Sequence, residues 1–161
     1  MPGLMIALLV ALVLGLAVAN VALVVLKPAK ATGAGDRAAV LAAARTGVEP
    51  VLSYNYKTVP ADAARARRYL TGTFATQYQT SIDKVVAVQA PKVRAVVSAQ
   101  VDSAGLEAVS GDGKQATVVV FAQQKVTNTS ITQPRVDLVR LRVTLNLVGS
   151  RWLIANLQQL G

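Results

Sequence analysis

The sequence predicts an α+β protein in which an N-terminal transmembrane helix precedes three helices packed on a curved, four-stranded antiparallel sheet. Three observations predict this fold. An uncharged apolar run covers residues 4–26, apolar side chains then recur at helical spacing up to about residue 90, and from residue 92 onward they alternate with polar side chains. Alternation is the period of a strand, and short turns between consecutive strands favour an antiparallel meander.

The apolar run is long enough to be a membrane anchor. Its 23 residues span roughly 34 Å at about 1.5 Å per residue, enough to cross the hydrocarbon core of a bilayer. Ala17-Val18-Ala19 resembles a signal-peptidase site, so a cleaved signal peptide is the alternative. No lysine or arginine precedes the run, and the run continues past this site. We therefore expect a retained anchor over residues 1–26, a linker over 27–35 and a folded domain over 36–161.

The charges that flank the anchor leave its orientation open. Lys27, Lys30 and Arg37 follow the run, and the positive-inside rule taken literally would keep the folded domain in the cytoplasm. That rule weakens for long folded domains.

Small residues within the anchor are spaced by four, so they form a ridge on one helix face. Such a ridge lets another transmembrane helix approach closely, although alanine is also frequent throughout this chain. The residues of this partner-packing ridge are Ala7, Ala11, Gly15 and Ala19.

Capping signals divide the next part of the chain into helices. The first is predicted from Asp36, as N-cap, to about Tyr56, with a kink at Pro50. A second has Pro60 in its first turn and Gly72 as its C-cap. Asp62 falls in the first turn of this second helix, and three arginines fall near its end, which complements the helix dipole. These arginines are Arg65, Arg67 and Arg68.

A third helix and four strands complete the predicted domain. The helix carries the apolar stripe Phe74, Tyr78, Ile82 and Val85 and ends before Pro91. The strands are separated by the turn segments "SGDGK", "TSITQP" and "VGSRW".

Alternation is clearest in the third of these strands. There Leu141 and Leu145 are predicted to face the helices, and Arg140 and Arg142 are predicted to face solvent. A long sheet that curls around helices forms a cone with one open mouth.

The excess of basic over acidic residues has several interpretations. A net charge of +9 suits nucleic acid or an anionic membrane surface. The chain has one Trp, four Tyr and two Phe, and Phe121 and Trp152 are interpreted as core residues, so a base-stacking nucleic-acid platform is disfavoured. The arginines of the second helix are most simply a solvated helix end. Arg65 and Arg68 share one helix face and are the candidate contacts with lipid headgroups.

Composition excludes several kinds of chemistry. The chain has no histidine and no cysteine, which excludes disulfides, thiolate or imidazole metal sites and a Ser-His-Asp triad. Its eight carboxylates show no spacing that pairs two of them for general acid–base catalysis. We therefore expect a protein that is not an enzyme and has no catalytic residue, metal or cofactor.

Five stretches, taken in order, resemble the actinobacterial Mce-associated membrane proteins, which are single-span accessory proteins of Mce lipid-import systems. The stretches are "LSYNYKTV", "LTGTFATQY", "ATVVVFAQQKVTN", "PRVDLVRLRVTL" and "SRWLIANL". The resemblance implies a nuclear-transport-factor-2-like, or cystatin-like, cone that lies outside the cytoplasm. It brings no catalytic motif.

The resemblance and the anchor together predict a function. We expect a single-pass protein of the cytoplasmic membrane that assembles or stabilises an Mce lipid-import complex in the cell envelope. Its partners would be the permease and Mce subunits or other membrane accessory proteins, together with membrane lipid. The alternative is a tethered carrier that holds a lipid or another apolar ligand in the cone. Tyr54, Tyr56 and Tyr69 would then line its mouth, although such residues more often seal a core. A tethered enzyme would need a carboxylate inside the cone.

Overall fold

Helix α1, Ala34–Val51, is the first element of the computed structural model, which describes residues 34–161. Asp36 lies inside its first turn, so the predicted N-cap is wrong. Pro50 lies inside its last turn, and the helix ends one residue later instead of continuing to Tyr56. A proline has no N–H for a helical hydrogen bond, and its ring crowds the preceding turn.

A fifth strand follows α1, so the prediction of four strands is wrong. Strand β1, Tyr54–Asn55, pairs antiparallel with Val96 and Val97. The Tyr56 N–H donates to the Ala95 carbonyl oxygen at 3.0 Å. This pairing crosses about forty residues of sequence, which is why local periodicity gives no sign of it.

Two further helices lie between β1 and the next strand in the sequence. Helix α2 covers Val59–Arg67, with Pro60 in its first turn as predicted, and helix α3 covers Gly72–Ser81. Gly72 has a φ of +61°, but it opens α3 and does not cap α2, whose C-cap is Arg68. The chain continues from α3 through a π-helical turn, Ile82–Val86, then Ala87–Gln89 and a 3₁₀ turn, Ala90–Val93.

The π-helical turn changes which residues of the third helix are buried. Buried side chains recur at a strict spacing of four, and the last of them are Ile82, Val86 and Ala90. In an α-helix this spacing would drift about 40° per step. The wider π turn, with hydrogen bonds from residue i to i+5, rotates less per residue and keeps the stripe on the core. Val86 therefore replaces Val85 in the predicted stripe.

The four long strands form the predicted antiparallel meander, with sheet order β1-β2-β3-β4-β5. They are β2, Val96–Val109; β3, Gln115–Thr127; β4, Arg135–Val148; and β5, Arg151–Leu160. In β4, Leu141 and Leu145 are fully buried, whereas Arg140 is exposed and Arg142 is half-exposed. The predicted phase of this strand is confirmed.

The sheet curls around α1. The Glu49 Oε1 accepts a hydrogen bond from the Val101 N–H at 3.0 Å, and a Cβ placed on Gly47 would lie 2.9 Å from Ile154 Cδ1. Val101 is in β2 and Ile154 is in β5, so one helix contacts both outer long strands. A flat sheet would separate these strands by about 14 Å, given a spacing of about 4.8 Å. The fold expected from the sequence, helices on a curved antiparallel sheet, is thus confirmed apart from the strand count.

The predicted anchor over residues 1–26, with its small-residue ridge, lies outside the described residues. From residue 34 to residue 161, no helix is both long enough and apolar enough to cross a membrane.

Candidate functional site

The concave face of the sheet is filled by side chains. Val118, Val120, Leu141, Val143 and Leu145 have no accessible surface. Residues of α1 that pack in the same core are equally buried, namely Val40, Ala44 and Val48. A side chain with zero accessible surface borders no space that would hold even one water molecule. This part of the cone therefore offers no room for an apolar ligand unless the helices move.

Tyr54, Tyr56 and Trp152 are half-buried and pack against this core. Tyr69 is half-buried as well, and its carbonyl oxygen accepts a hydrogen bond from the Ile154 N–H at 2.7 Å. The tyrosines thus occupy the helix–sheet junction that the core interpretation expects.

Asp62 is the one buried carboxylate among the described residues, with 7% of its surface exposed. Its Oδ2 accepts hydrogen bonds from the Asn55 N–H at 3.0 Å and the Thr58 hydroxyl at 2.8 Å. Its Oδ1 accepts one from Arg65 Nη2 at 2.8 Å. The sequence predicts only a residue in the first turn of a helix. The structure shows a carboxylate that joins α2 to β1.

Tyr78 faces the same region. Burial raises the pKa of the Tyr78 hydroxyl well above its usual value; the nearby Asp62 charge raises the pKa further, and Arg65 lowers it. The Asp62 carboxylate joins α2 to β1 through the Asn55 N–H, and Tyr78, on α3, is buried near this carboxylate. Among the described residues, no second carboxylate is hydrogen-bonded to this group.

The predicted lipid-contact arginines have different surroundings. Arg65 pairs with Asp62, although 59% of its side chain is exposed. Arg67 and Arg68 are exposed. Arg151, at the start of β5, donates from Nη2 to the Arg68 carbonyl oxygen at 3.0 Å. We call Arg67, Arg68 and Arg151 the basic surface. Arg65 is excluded from it because Asp62 holds its guanidinium against the domain.

These arginines lie toward the same end of the sheet as the N-terminus of α1. The Ser53 Oγ accepts from the Ala99 N–H at 2.9 Å and the Glu49 Oε1 from the Val101 N–H. Residues nearer the start of α1 thus contact residues nearer the end of β2. The helix therefore runs antiparallel to β2 and begins toward the β2–β3 turn. The β4–β5 turn, next to Arg151, is at that end of the meander as well, because β4 runs parallel to β2.

The outer face of the sheet carries exposed apolar residues, and one of them was predicted to lie in the core. Phe121, predicted as core, is 47% exposed, while Val136 is 55% and Leu138 is 79% exposed. The sequence does not reveal which side chains of β3 face the core, because residues 118–122 are all apolar. In addition, the polar residue Gln124 occupies an inward, buried position. Gln124 Nε2 donates to the Leu52 carbonyl oxygen at 3.1 Å.

The described residues contain no candidate metal-binding site. Between residues 34 and 161, no three acidic residues converge where they could hold a metal ion.

Comparisons with known proteins define the family. The chain belongs to the family described as uncharacterized proteins like Rv1363c/MT1408, which matches residues 3–157. It is 32% identical over 128 residues to the uncharacterized protein Rv1362c of Mycobacterium tuberculosis, covering 80% of this chain but 57% of that protein. This chain thus spans little more than half of that relative. It is 34% identical over 122 residues to the outer membrane protein Rv1973 of the same organism, covering 76% of this chain and 74% of that protein.

Solved structures share the fold. An IcmL-like type IV secretion system protein from Legionella pneumophila gives a TM-score of 0.65 at 12% identity, covering 80% of this chain and 94% of that chain. The VirB8 protein of Agrobacterium tumefaciens gives a TM-score of 0.61 at 11% identity, covering 81% of this chain and 96% of that chain. At these identities the likeness concerns the fold alone.

Proposed function

We propose that this protein is a single-pass, non-enzymatic accessory subunit that assembles or stabilises an Mce lipid-import complex in the cell envelope. The observation that carries the proposal is the filled concave face of the sheet. Because the part of the core that packs against α1 leaves no room for a ligand, we infer that the domain acts through its outer surfaces. The ordered stretches that resemble Mce-associated proteins supply the identity of the complex.

Envelope location has support from the relatives. One relative is named an outer membrane protein, and one protein of similar fold is named a type IV secretion system protein. Together with the predicted anchor, these names favour a domain that works beside a membrane. We propose that residues 36–161 lie outside the cytoplasm, with residues 1–26 anchored in the cytoplasmic membrane.

The basic surface fits this arrangement. Arg67, Arg68 and Arg151 lie toward the end of the sheet where α1 begins, which is the end nearest the predicted anchor. Because α1 begins at Ala34, residues 27–33 are left for the linker, which would reach about 25 Å at most when extended. Arginine side chains held this close to anionic headgroups contribute about 1 kcal/mol each. We propose that this surface orients the domain on the bilayer, with Arg65 contributing less because of Asp62.

The carrier function is disfavoured by the same core. Leu141, Val143 and Leu145 would have to leave their contacts with α1 to admit a lipid chain. Burying one leucine side chain contributes about 1.5–3 kcal/mol, so opening the cone would cost the fold several such contributions.

Affinity purification of the tagged full chain from native membranes tests the proposal. The matched control carries residues 1–35 fused to an unrelated soluble domain, with the same tag. Quantitative mass spectrometry should find permease and Mce subunits with the full chain and not with the control. Equal recovery from both baits, or recovery of stoichiometric lipid with no envelope protein, would contradict an assembly role.

A further inference from the structure

Two hairpin turns lie side by side at the end of the sheet where α1 begins. One joins β2 to β3 and the other joins β4 to β5, and the Leu147 N–H donates to the Lys114 carbonyl oxygen between them at 2.8 Å. In the β2–β3 turn, the Asp112 carboxylate accepts hydrogen bonds from the Ser110 hydroxyl and the Lys114 N–H. This turn has the polar composition that is usual for a turn in contact with water.

The β4–β5 turn has a different composition, because apolar residues flank it and it carries no carboxylate. Val148 pairs with Arg151 and Leu147 pairs with Trp152, while Gly149 takes the left-handed φ of +61°. Val148 is the last residue of β4 and is 48% exposed. A single exposed apolar residue is common on protein surfaces. Here it is joined at the same tip by the half-buried Leu147 and Trp152.

Cations surround this apolar turn. Arg151 belongs to the turn, and its hydrogen bond to the Arg68 carbonyl oxygen brings the rest of the basic surface beside it. An apolar tip flanked by cations suits a surface in which acyl chains lie beneath anionic headgroups. Ion pairs aside, this end of the described domain carries the exposed cations Arg37, Arg67, Arg68, Lys114 and Arg151 against the exposed carboxylates Asp36 and Asp112.

The shape of the turn favours a bilayer over a protein as its partner. A protein interface of ordinary size buries about 800 Å² on each partner and centres on well-packed pockets. The tip of a hairpin is narrow and convex, and it offers no pocket. A bilayer accommodates such a tip, because lipids rearrange around apolar side chains that enter the boundary between headgroups and acyl chains. Trp152 lies one residue behind the tip, and tryptophan is enriched at this boundary.

We propose that the β4–β5 turn inserts Val148 into the boundary between the headgroups and acyl chains of an anionic bilayer. Leu147 and Trp152 then lie at headgroup level, and the basic surface contacts the headgroup phosphates. The inference rests on the proposed function in placing the domain beside a membrane. It adds an apolar insertion to the electrostatic contact. Val136, at the other end of β4, is then held up to roughly 40 Å from the bilayer, given the rise of a strand.

Quenching of tryptophan fluorescence by brominated lipids tests the proposal on the full chain. Trp152 is the single tryptophan of the chain, so the signal has one source. The chain is reconstituted in vesicles of phosphatidylcholine and phosphatidylglycerol that carry bromine either near the headgroup or near the end of the acyl chain. We expect the shallow bromines to reduce the fluorescence by about half and the deep ones by less than about one-tenth, as for a side chain held at the interface. In vesicles of phosphatidylcholine alone, the shallow quenching should be about twofold weaker, because the headgroup contacts of the basic surface are lost.

Variants of two valines test whether the turn makes the contact. Val148→Asp places a carboxylate among the headgroups and should abolish the quenching. Val136→Asp is the matched control, because Val136 is 55% exposed on the outer face of the same strand, and it should leave the quenching unchanged. Val148→Ser removes the apolar group without adding charge and should reduce the quenching about twofold, which keeps the test decisive if Val148→Asp does not fold. Unfolding midpoints in vesicles without bromine verify that each variant is folded.

Three outcomes would overturn the proposal: an unquenched tryptophan in the unmodified chain, full quenching in Val148→Ser, or equal losses in Val148→Asp and Val136→Asp. A turn that docks on a protein instead would give the first outcome, since these vesicles contain no other protein. The result is separable from the proposed function. Mce subunits that co-purify with a chain whose tryptophan is unquenched would refute the insertion alone. Quenching that depends on Val148, without Mce subunits in the purification, would support the insertion and refute the Mce assignment.

Discussion

The two faces of the sheet differ in how far their apolar side chains are exposed to solvent. Leu141 and Leu138 belong to the same strand, three residues apart, yet Leu141 has no exposed surface and Leu138 has 79% of its surface exposed. The inner face is packed against α1 and leaves no space, whereas the outer face leaves large apolar groups in water. A fold that needed β4 only for stability would not require Leu138 on its outer face. The difference places the stabilising contacts on the inner face, and we propose that the outer face serves recognition.

Leucine truncation on the two faces should give the largest contrast. Leu141→Ala removes buried methyl groups and leaves a cavity, so it should lower the free energy of unfolding by about 2–5 kcal/mol. Leu138→Ala is the matched control and should change it by less than about 0.5 kcal/mol. Urea denaturation of the full chain in detergent, followed by tryptophan fluorescence, measures both. Similar losses for the two variants would refute the strand phase.

Removal of the buried carboxylate should have the next largest effect. Asp62→Ala leaves the Asn55 N–H, the Thr58 hydroxyl and Arg65 without their acceptor, and we expect a loss of roughly 2–3 kcal/mol. The control is Asp83→Ala, since Asp83 is exposed and accepts one hydrogen bond from Gln79. It should cost less than about 0.5 kcal/mol. If Asp83→Ala costs as much in the same denaturation assay, Asp62 is not what joins α2 to β1.

Alkaline pH should destabilise the protein through its buried tyrosines. The folded-state pKa of Tyr78 is raised above the model-compound value of 10.0. Above pH 10 the unfolded chain therefore loses a proton that the folded chain keeps, so stability falls as pH rises. One such group contributes a slope of up to about 1.4 kcal/mol per pH unit.

Comparison with Tyr78→Phe isolates this contribution. Denaturation midpoints measured from pH 9 to pH 11 should show a shallower decline in the variant. Burial also raises the pKa of Tyr54, so some decline should remain. Parallel profiles for the two proteins would mean that the Tyr78 hydroxyl ionises normally when folded.

The basic surface should have a modest effect on membrane binding. Residues 36–161, produced as a soluble domain, should bind anionic vesicles weakly, and Arg67→Gln with Arg68→Gln should reduce that binding by about 1 kcal/mol per arginine. Lys57→Gln with Lys92→Gln is the charge-matched control and should reduce binding less. Vesicle co-sedimentation at low and high salt measures this. Tight binding that persists in high salt would contradict a headgroup contact of this kind.

The smallest effect is expected from an ion pair on the outer face. Arg142 donates from Nε and Nη2 to the two Glu107 carboxylate oxygens, each at 2.8 Å. This hydrogen bonding, with the Glu107 charge, raises the pKa of Arg142. Both side chains are more than one-third exposed, so solvent screening limits the coupling to about 0.2–1 kcal/mol. A double-mutant cycle with Arg142→Ala and Glu107→Ala measures it, and a larger coupling would mean that this part of the face is shielded from water.

Much of the fold could be predicted from the sequence because helical and strand periods are local signals. The alternation from Val139 to Leu147 gave the phase of β4 directly, and Pro60 placed α2. The short β1 strand could not be predicted, because its partner is distant in sequence. The π-helical turn that buries Val86 could not be predicted either, because it depends on how the helix packs against the rest of the fold.

The exposed apolar surface around Phe121 was hidden for a different reason. Apolar residues occupy both faces of β3 around Phe121, while Gln124 is a buried polar residue, so polarity does not reveal the phase there. The role of Asp62 was hidden as well, since a helix-start aspartate is usually exposed to solvent. The anchor, its ridge and the Mce assignment remain predictions.

Co-purification with an outer-face variant tests the central claim most directly. The tagged full chain, Leu138→Ser and the control Val88→Ser would each be purified from native membranes, and envelope partners would be quantified by mass spectrometry. We predict that Leu138→Ser loses at least nine-tenths of the partner without a change in unfolding midpoint, whereas Val88→Ser retains it. Full retention of the partner by Leu138→Ser would contradict the assignment of recognition to the outer face.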